Sequence, residues 1–436
     1  MVMYAFGLIF ILLILSTLFD VFILYPLLFA LVLFSWIAVR HGWPLRKVLR
    51  MLFEGAKKTW PVVQIFILIG IMIGLWFSSG SIAWIVYHGL SLIVPELFIL
   101  FGFILSTIVS FLLGTSFGTV GTIGIIMMIM ARTGDINTVP LVGAIIAGAY
   151  VGDRNSPMSS SAHLVATVTK TDIYINIRNM FKTSAVPFLL TAVIYIIMSL
   201  VVPFEPGESE IISSIPESFN LSFFSAVPMM LLIILVLIKI NVKTAMAASS
   251  VMAFIITITT QAIDVSHLFR TMVFGFELPP EDPLAAIFTG GGIAFMFNAM
   301  LIVLASSAFA GLFEHTDLIV SFEKRIERLT QKTTPFFSAT VTSLITSALG
   351  VTQALAIIMT QQLLKKPYSL QKKTKYDLAL DIEDSAVLLS VLIPWNVAGL
   401  IPAQMLGLDA RFIPFAVFLY VLPLYRLLKK ERKSIQ

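Results

Sequence analysis

The stretch GAYVGDRNSPMSSSAHL, residues 148–164, decides how this chain folds. It holds an acid (Asp153), a base (Arg154), a proline (Pro157) and three consecutive serines (Ser159, Ser160 and Ser161). Yet the 436-residue chain around it is 58% hydrophobic and 12% charged, with a mean hydropathy of +0.97. Uninterrupted membrane helices do not carry such a stretch. Non-helical backbone at membrane depth persists only where it is buried in protein or lines a watery cavity. Ionisable side chains at that depth mark functional sites by default. Pro157 has no N–H to donate and biases Ser156 away from helix, which frees carbonyls near Gly152 and Asp153 to face a cation. The stretch therefore reads as the break in a spanning helix.

Working outward, repeated apolar runs long enough to cross a bilayer make this an all-α polytopic membrane protein. The runs are continuous, whereas a barrel would show alternating segments. Cysteine is absent, which excludes disulfides and thiolate metal sites. The N-terminal run has no basic leader region and reads as a retained first helix. The net charge of +5 lies in short connections and sets orientation, so it is no nucleic-acid signal. The basic segment RHGWPLRKVLRMLFEGAKK (40–58) reads as a cytoplasmic loop, and EKRIERLTQK (323–332) reads as a strongly charged loop. The acidic connection at 205–217, which has no Lys or Arg, reads as external, and a second acidic connection lies at 264–282. These assignments place the chain in the cell membrane with both termini cytoplasmic, the last span ending in RLLKKERK (426–433).

The chain also resembles itself. LLGTS (112–116) resembles ALGVT (348–352) at an offset of 236, as does GLWFSSGSI (74–82) with AGLFEHTDL (310–318). SPMSS (156–160) resembles IPWNV (393–397) at 237. Basic connections in one half align with non-basic ones in the other, the pattern of two inverted repeats. The expected division is a first repeat at 1–205, an extracytoplasmic linker at 206–220 and a second repeat at 221–436. Each repeat is expected to hold about five transmembrane helices, with a re-entrant hairpin and a broken helix. The hairpin tips fall at GTSFGT (114–119) and GVTQ (350–353), and the breaks at Pro157 and Pro394.

Tips and breaks supply the candidate site residues. Thr115, Ser116 and Thr119 offer hydroxyls beside glycines that allow a tight reversal. Such oxygens suit Na⁺, and freed N–H groups suit carboxylates; helix packing by small residues is the competing explanation. Asp153 is the candidate Na⁺ ligand, exchanging the ion for a proton, unless Arg154 neutralises it as a structural ion pair. Ser156, Ser159 and Ser160 add hydroxyls. The second half offers Thr352, Gln353 and Asn396. Glu383 and Asp384 are adjacent carboxylates, costly in a membrane unless paired or functional, or else solvated near Lys375. His163 ranks below Asp153, as a hydrogen-bonded packing residue.

These residues resemble a known family. GTSFGTVG, GDRNSP with its serines, and ED…LIPWN with a following glycine are similar to the NhaC-type Na⁺/H⁺ antiporters of the ion-transporter superfamily. The resemblance covers most of the chain. It implies inverted repeats, a scaffold that forms a homodimer, and a transport unit of hairpins and broken helices that moves like an elevator. The chain departs from the family pattern at Ser160, where the family usually carries aspartate. Relatives also move organic acids and amino acids, so the expected cargo is an inorganic cation or, as the alternative, a small carboxylate or amino acid. Na⁺ and H⁺ are the coupling ions, and no cofactor is expected. No HExxH motif, nucleophile elbow or phosphate loop is present, which argues against an enzyme. A channel would need a continuous pore, against which two broken, inverted repeats speak.

Overall fold

In lipid a backbone must satisfy its own polar groups, so each apolar run becomes a helix. The computed structural model describes residues 2–19, 21–206, 209–261, 263–314, 316 and 320–429. The first half contains α1 (Val2–Leu18), α2 (Leu24–Arg40), α3 (Leu45–Lys57), α4 (Trp60–Ser78), α5 (Ser81–Leu90), α6 (Phe98–Leu113), α7 (Ser116–Thr119), α8 (Ile125–Arg132), α9 (Thr138–Asn155), α10 (Ser160–Thr169) and α11 (Ile173–Val201). There follow α12 (Ser209–Ser218), α13 (Val227–Leu237), α14 (Val242–Thr260), α15 (Val265–Phe274), α16 (Gly292–Glu314) and α17 (Val320–Lys332). The chain continues with α18 (Pro335–Gly350), α19 (Gln353–Leu370), α20 (Lys375–Asp384), α21 (Ala386–Leu389), α22 (Val397–Met405) and α23 (Val417–Leu428). A π-helical turn, Val120–Gly124, joins α7 to α8. A two-residue ribbon pairs β1 (Gly134–Asp135) with β2 (Glu205–Pro206).

Among the described residues, five helices are long and apolar enough to cross a membrane, or up to seven if each bent pair is one span. The protein is thus an all-α polytopic membrane protein. Four stretches expected as connections are helical instead: α3, α12, α15 and α17 lie within them. In α3 and α17 charged residues alternate with apolar ones at helical spacing, which favours a short amphipathic helix over an open loop. Residues 430–436, which carry part of the C-terminal basic run, lie outside the described residues, as do residues 207 and 208 of the linker.

The helices gather into two groups. In one, α4 packs on α14, α15 and α16, and α16 packs on α2 and α3. In the other, α6 lies along α9, α18 pairs with α19, and α10, α11, α20 and α23 close around them. Aromatic edges join the groups. Phe66 of α4 meets Phe117 of α7 with ring centroids 5.4 Å apart, and Phe10 of α1 meets Trp395 at 5.2 Å.

The internal resemblance extends to the register of the elements. Helices α6, α9 and α10 start at 98, 138 and 160; α18, α20 and α22 start 237 residues later, at 335, 375 and 397. Contacts between the halves follow the same spacing. A Cβ on Gly55 would strike the backbone of Ser307 and Gly311, one on Gly70 would strike that of Gly292, and one on Gly74 would meet Gly292 in van der Waals contact. Adding 237 turns 55 into 292, 70 into 307 and 74 into 311, so the contact is reciprocal. Residue 55 of α3 lies by 311 and residue 74 of α4 by 291 and 292, so the segment α3–α4 runs antiparallel to α16.

Candidate functional site

Each hairpin tip reverses on a left-handed residue followed by a threonine cap. At the first, Gly114 has φ 65° and Thr115 accepts a hydrogen bond from the Gly118 N–H. At the second, Val351 has φ 58° and Thr352 accepts from the Leu355 N–H. Caps of this kind satisfy helix N–H groups that have no partner within the helix. The broken helices match as well. Ser156 and Ile393 are extended (φ −86° at both), and Ser159 and Asn396 cap the helices that follow.

Each tip is fastened to the break of its own half. The Ser156 hydroxyl donates to the Phe111 carbonyl at 2.7 Å, and Gly114 lies so close to Met158 that a Cβ would overlap its backbone. In the second half, Asn396 Nδ2 donates to Ser347 O (2.9 Å), Trp395 Nε1 to Ala348 O (2.8 Å) and the Val397 N–H to Val351 O (2.8 Å). Gln353 Nε2 donates to Val387 O at 2.9 Å. Thr115, Ser156, Thr352, Gln353 and Asn396 thus make hydrogen bonds that hold the scaffolding of the site. Thr119 does likewise, donating to Thr115 O at 2.8 Å.

Chemistry gathers in the first half. Asp153 is buried near the end of α9, and the Ser159 hydroxyl donates to its Oδ1 at 2.7 Å. The Ser161 hydroxyl lies 2.9 Å from that of Ser159. Ser116 faces the same carboxylate with its hydroxyl and its backbone N–H, from the start of the helix that leaves the first tip. A helix N-terminus favours negative charge, so this end of α7 is suited to sit against Asp153. Ser160, by contrast, is exposed, so the position where the family carries aspartate lies outside the buried cluster. His163 is also exposed, with Nε2 3.0 Å from Pro157 O.

Arg154 turns away from its neighbour Asp153. Its fully buried guanidinium donates to Asp384 Oδ1, to Thr183 Oγ1 (3.0 Å), to Ser184 Oγ (2.6 Å) and to the Glu383 carbonyl (3.3 Å). Asp384 also accepts from Arg426 of α23, which reaches Asp381 Oδ1 at 2.6 Å. Two arginines and two aspartates therefore form one ladder through α9, α11, α20 and α23. A buried ion pair is tolerable only with such full satisfaction. Asp384 is committed to this ladder, and the Lys375 ammonium donates instead to the Lys170 carbonyl at 2.6 Å.

Glu383 stands apart from it. The side chain is fully buried, and neither carboxylate oxygen has a hydrogen-bond partner among the described residues. It lies within electrostatic reach of Asp153 as well as of Arg154 and Asp384. Of the expected residues, then, the structure brings Ser116, Asp153 and Ser159 together, with Glu383 within electrostatic reach of Asp153. Arg426, Asp381, Thr183 and Ser184 escaped the sequence reading. One signal pointed to them: an arginine in so apolar a chain needs a counter-charge, and Asp381 and Asp384 are three residues apart on one helix face.

The chain is 28% identical over 411 residues to the Na⁺/H⁺ antiporter NhaC of Bacillus subtilis, covering 92% of this chain and 91% of that one. It is 26% identical over 412 residues to the malate-2H⁺/Na⁺-lactate antiporter of the same organism, covering 91% and 87%. It is 23% identical over 408 residues to the arginine/ornithine antiporter ArcD of Halobacterium salinarum, covering 89% and 82%. The pattern of the Na⁺/H⁺ antiporter family matches residues 148–428, from the middle of α9 to the end of α23, and the chain belongs to that family.

Proposed function

We propose that this protein exchanges Na⁺ for H⁺ across the cell membrane, with Asp153 and Glu383 as the two carboxylates that alternate between ion and proton. The observation that carries this reading is the pair itself: two buried acids to which, among the described residues, no arginine side chain donates a hydrogen bond. Asp381 and Asp384 have Arg426 and Arg154 for that purpose. An uncompensated buried charge costs several kcal/mol, and a bound Na⁺ or proton supplies the missing positive charge. Oxygen ligands for Na⁺ come from Asp153, Ser159, Ser161 and Ser116, beside the unwound backbone, as is usual in broken-helix transporters.

The reciprocal contacts of Gly55, Gly70, Gly74 and Gly292, and the antiparallel run of the α3–α4 segment and α16, support inverted repeats. The two-group packing supports a scaffold against which hairpins and broken helices move. A homodimer through the scaffold remains part of the proposal on the family resemblance alone. The test is Na⁺-driven proton flux in proteoliposomes. Asp153→Asn is expected to abolish it, and unchanged flux would remove Asp153 from the mechanism.

A second reading is exchange of a small carboxylate or amino acid, favoured by the similarity to the malate-lactate and arginine/ornithine antiporters. It finds less support at the site, because both arginines of the ladder are already engaged and leave no guanidinium for a substrate carboxylate. Labelled malate or arginine uptake that depends on Na⁺, in the same proteoliposomes, would favour it over the first.

A further inference from the structure

Helix α3 presents three distinct sides. Val48, Met51 and Gly55 form one, buried against α16 through the close approach of Gly55 to Gly311. Leu45, Leu49 and Phe53 form the second, one turn apart, and are 59%, 55% and 69% exposed. Three large apolar residues at this spacing make a continuous exposed stripe. Arg46, Arg50 and Lys57 form the third, adjacent to the stripe along the helix, and all are exposed.

The flanks repeat the theme. The Lys47 ammonium lies 4.3 Å from the Trp43 ring centroid, and the Arg40 guanidinium 5.0 Å from that of Trp36. Trp60, at the other end, is 57% exposed. Tryptophans at both ends of an apolar stripe are the anchors found at the level of lipid headgroups. Residues 40–58 carry six lysines and arginines against the single acid Glu54, itself hydrogen-bonded to Arg50. A helix with an apolar stripe edged by basic residues lies in the membrane interface, with affinity from buried apolar area and from anionic lipid.

We propose that α3 is a docking surface for the headgroups of anionic phospholipids. Leu45, Leu49 and Phe53 enter the acyl boundary, and Arg46, Arg50 and Lys57 bind phosphate at its edge. Because the opposite side of α3 is locked to α16, lipid bound there braces the scaffold and not the transport unit. This inference is independent of what the protein carries.

The chain has no cysteine, so Phe53→Cys carries a single fluorophore in the full protein. In nanodiscs of phosphatidylcholine and phosphatidylglycerol, the label should be quenched by lipids spin-labelled near the headgroup and spared by aqueous iodide. Quenching by iodide alone places the helix in water, and protection from both places a protein or a second copy over it; either result overturns the proposal. In detergent, phosphatidylglycerol should raise the melting temperature more than phosphatidylcholine does. Removing charge in Arg46→Gln/Arg50→Gln/Lys57→Gln should weaken the preference for anionic lipid roughly fivefold per residue. A triple variant that keeps the full preference overturns the proposal, as does an equal effect of inorganic phosphate. Should the triple variant fail to fold, the quenching result on Phe53→Cys decides alone.

Discussion

Two neighbouring residues, Glu383 and Asp384, show how differently adjacent carboxylates are used. Asp384 accepts from two guanidinium groups, whereas Glu383 has no hydrogen-bond partner for either oxygen. Their substitutions should therefore behave in opposite ways. Glu383→Met removes an unsatisfied buried group, so it should stabilise the fold by about 1–3 kcal/mol while ending exchange. That combination, a raised melting temperature with lost flux, is the pattern of a residue kept for activity at the expense of stability. Arg154→Lys should do the reverse of stabilising. Lysine has three donors where arginine has five, and Arg154 reaches the side chains of Asp384, Thr183, Ser184 and Asn155. Lysine keeps the charge but leaves buried acceptors unmet, so a loss of about 1–3 kcal/mol is expected, measured as a fall in melting temperature of the purified protein. The burial of Asp153 was legible in the sequence, because an acid four residues before a proline in an apolar chain falls at a helix break enclosed by protein. The role of Arg154 was not, because its partner lies 230 residues away in the chain.

The helix breaks and hairpin tips were legible because glycine, proline and threonine act locally. Pro157 and Pro394 each sit in the gap between two helices, and each tip carries a threonine cap. What the sequence left open was the use of the hydroxyls and amides around them. Ser156, Thr352 and Asn396 were candidate ligands, yet their hydrogen bonds run to backbone or cap a helix. A tight fastening of tip to break predicts sensitivity at Gly114. A methyl group there must pass through the Met158 backbone and adopt φ 65°, which an L side chain rarely does. Gly114→Ala should therefore shift Ser116 away from Asp153 and lower Na⁺-driven flux by at least tenfold, with membrane insertion intact. Full flux in this variant would show that the position of the tip is not critical. Val351, the counterpart of Gly114, tolerates the same left-handed backbone with its side chain buried and its carbonyl held by Val397. Strain of that kind persists only where surrounding contacts over-determine it.

At the scale of the molecule, charge alternation between connections suggested inversion, and the proposal of inverted repeats draws on the reciprocal glycine contacts. Two equivalent segments related by a two-fold axis must touch reciprocally, as subunits do in a symmetric dimer. Polar connections were harder to read, since α3, α12, α15 and α17 bury one side against neighbours that only the fold reveals. The proposed motion follows from the same architecture. If hairpins and broken helices slide past the scaffold, contacts between the two groups must break in each cycle, while contacts within the scaffold must not. Phe66 and Phe117 face each other across the groups with ring centroids 5.4 Å apart. Trp76 and Ser249 lie within the scaffold, joined by a 3.0 Å hydrogen bond. With no native cysteine to interfere, Phe66→Cys/Phe117→Cys and Trp76→Cys/Ser249→Cys can each be bridged by a short thiol-reactive linker. Bridging the first pair should stop exchange, with recovery on reduction. Bridging the second should leave most of the flux. If exchange continues with the first pair fully bridged, the two groups do not slide at this contact, and access must alternate through movement of the hairpin tips alone.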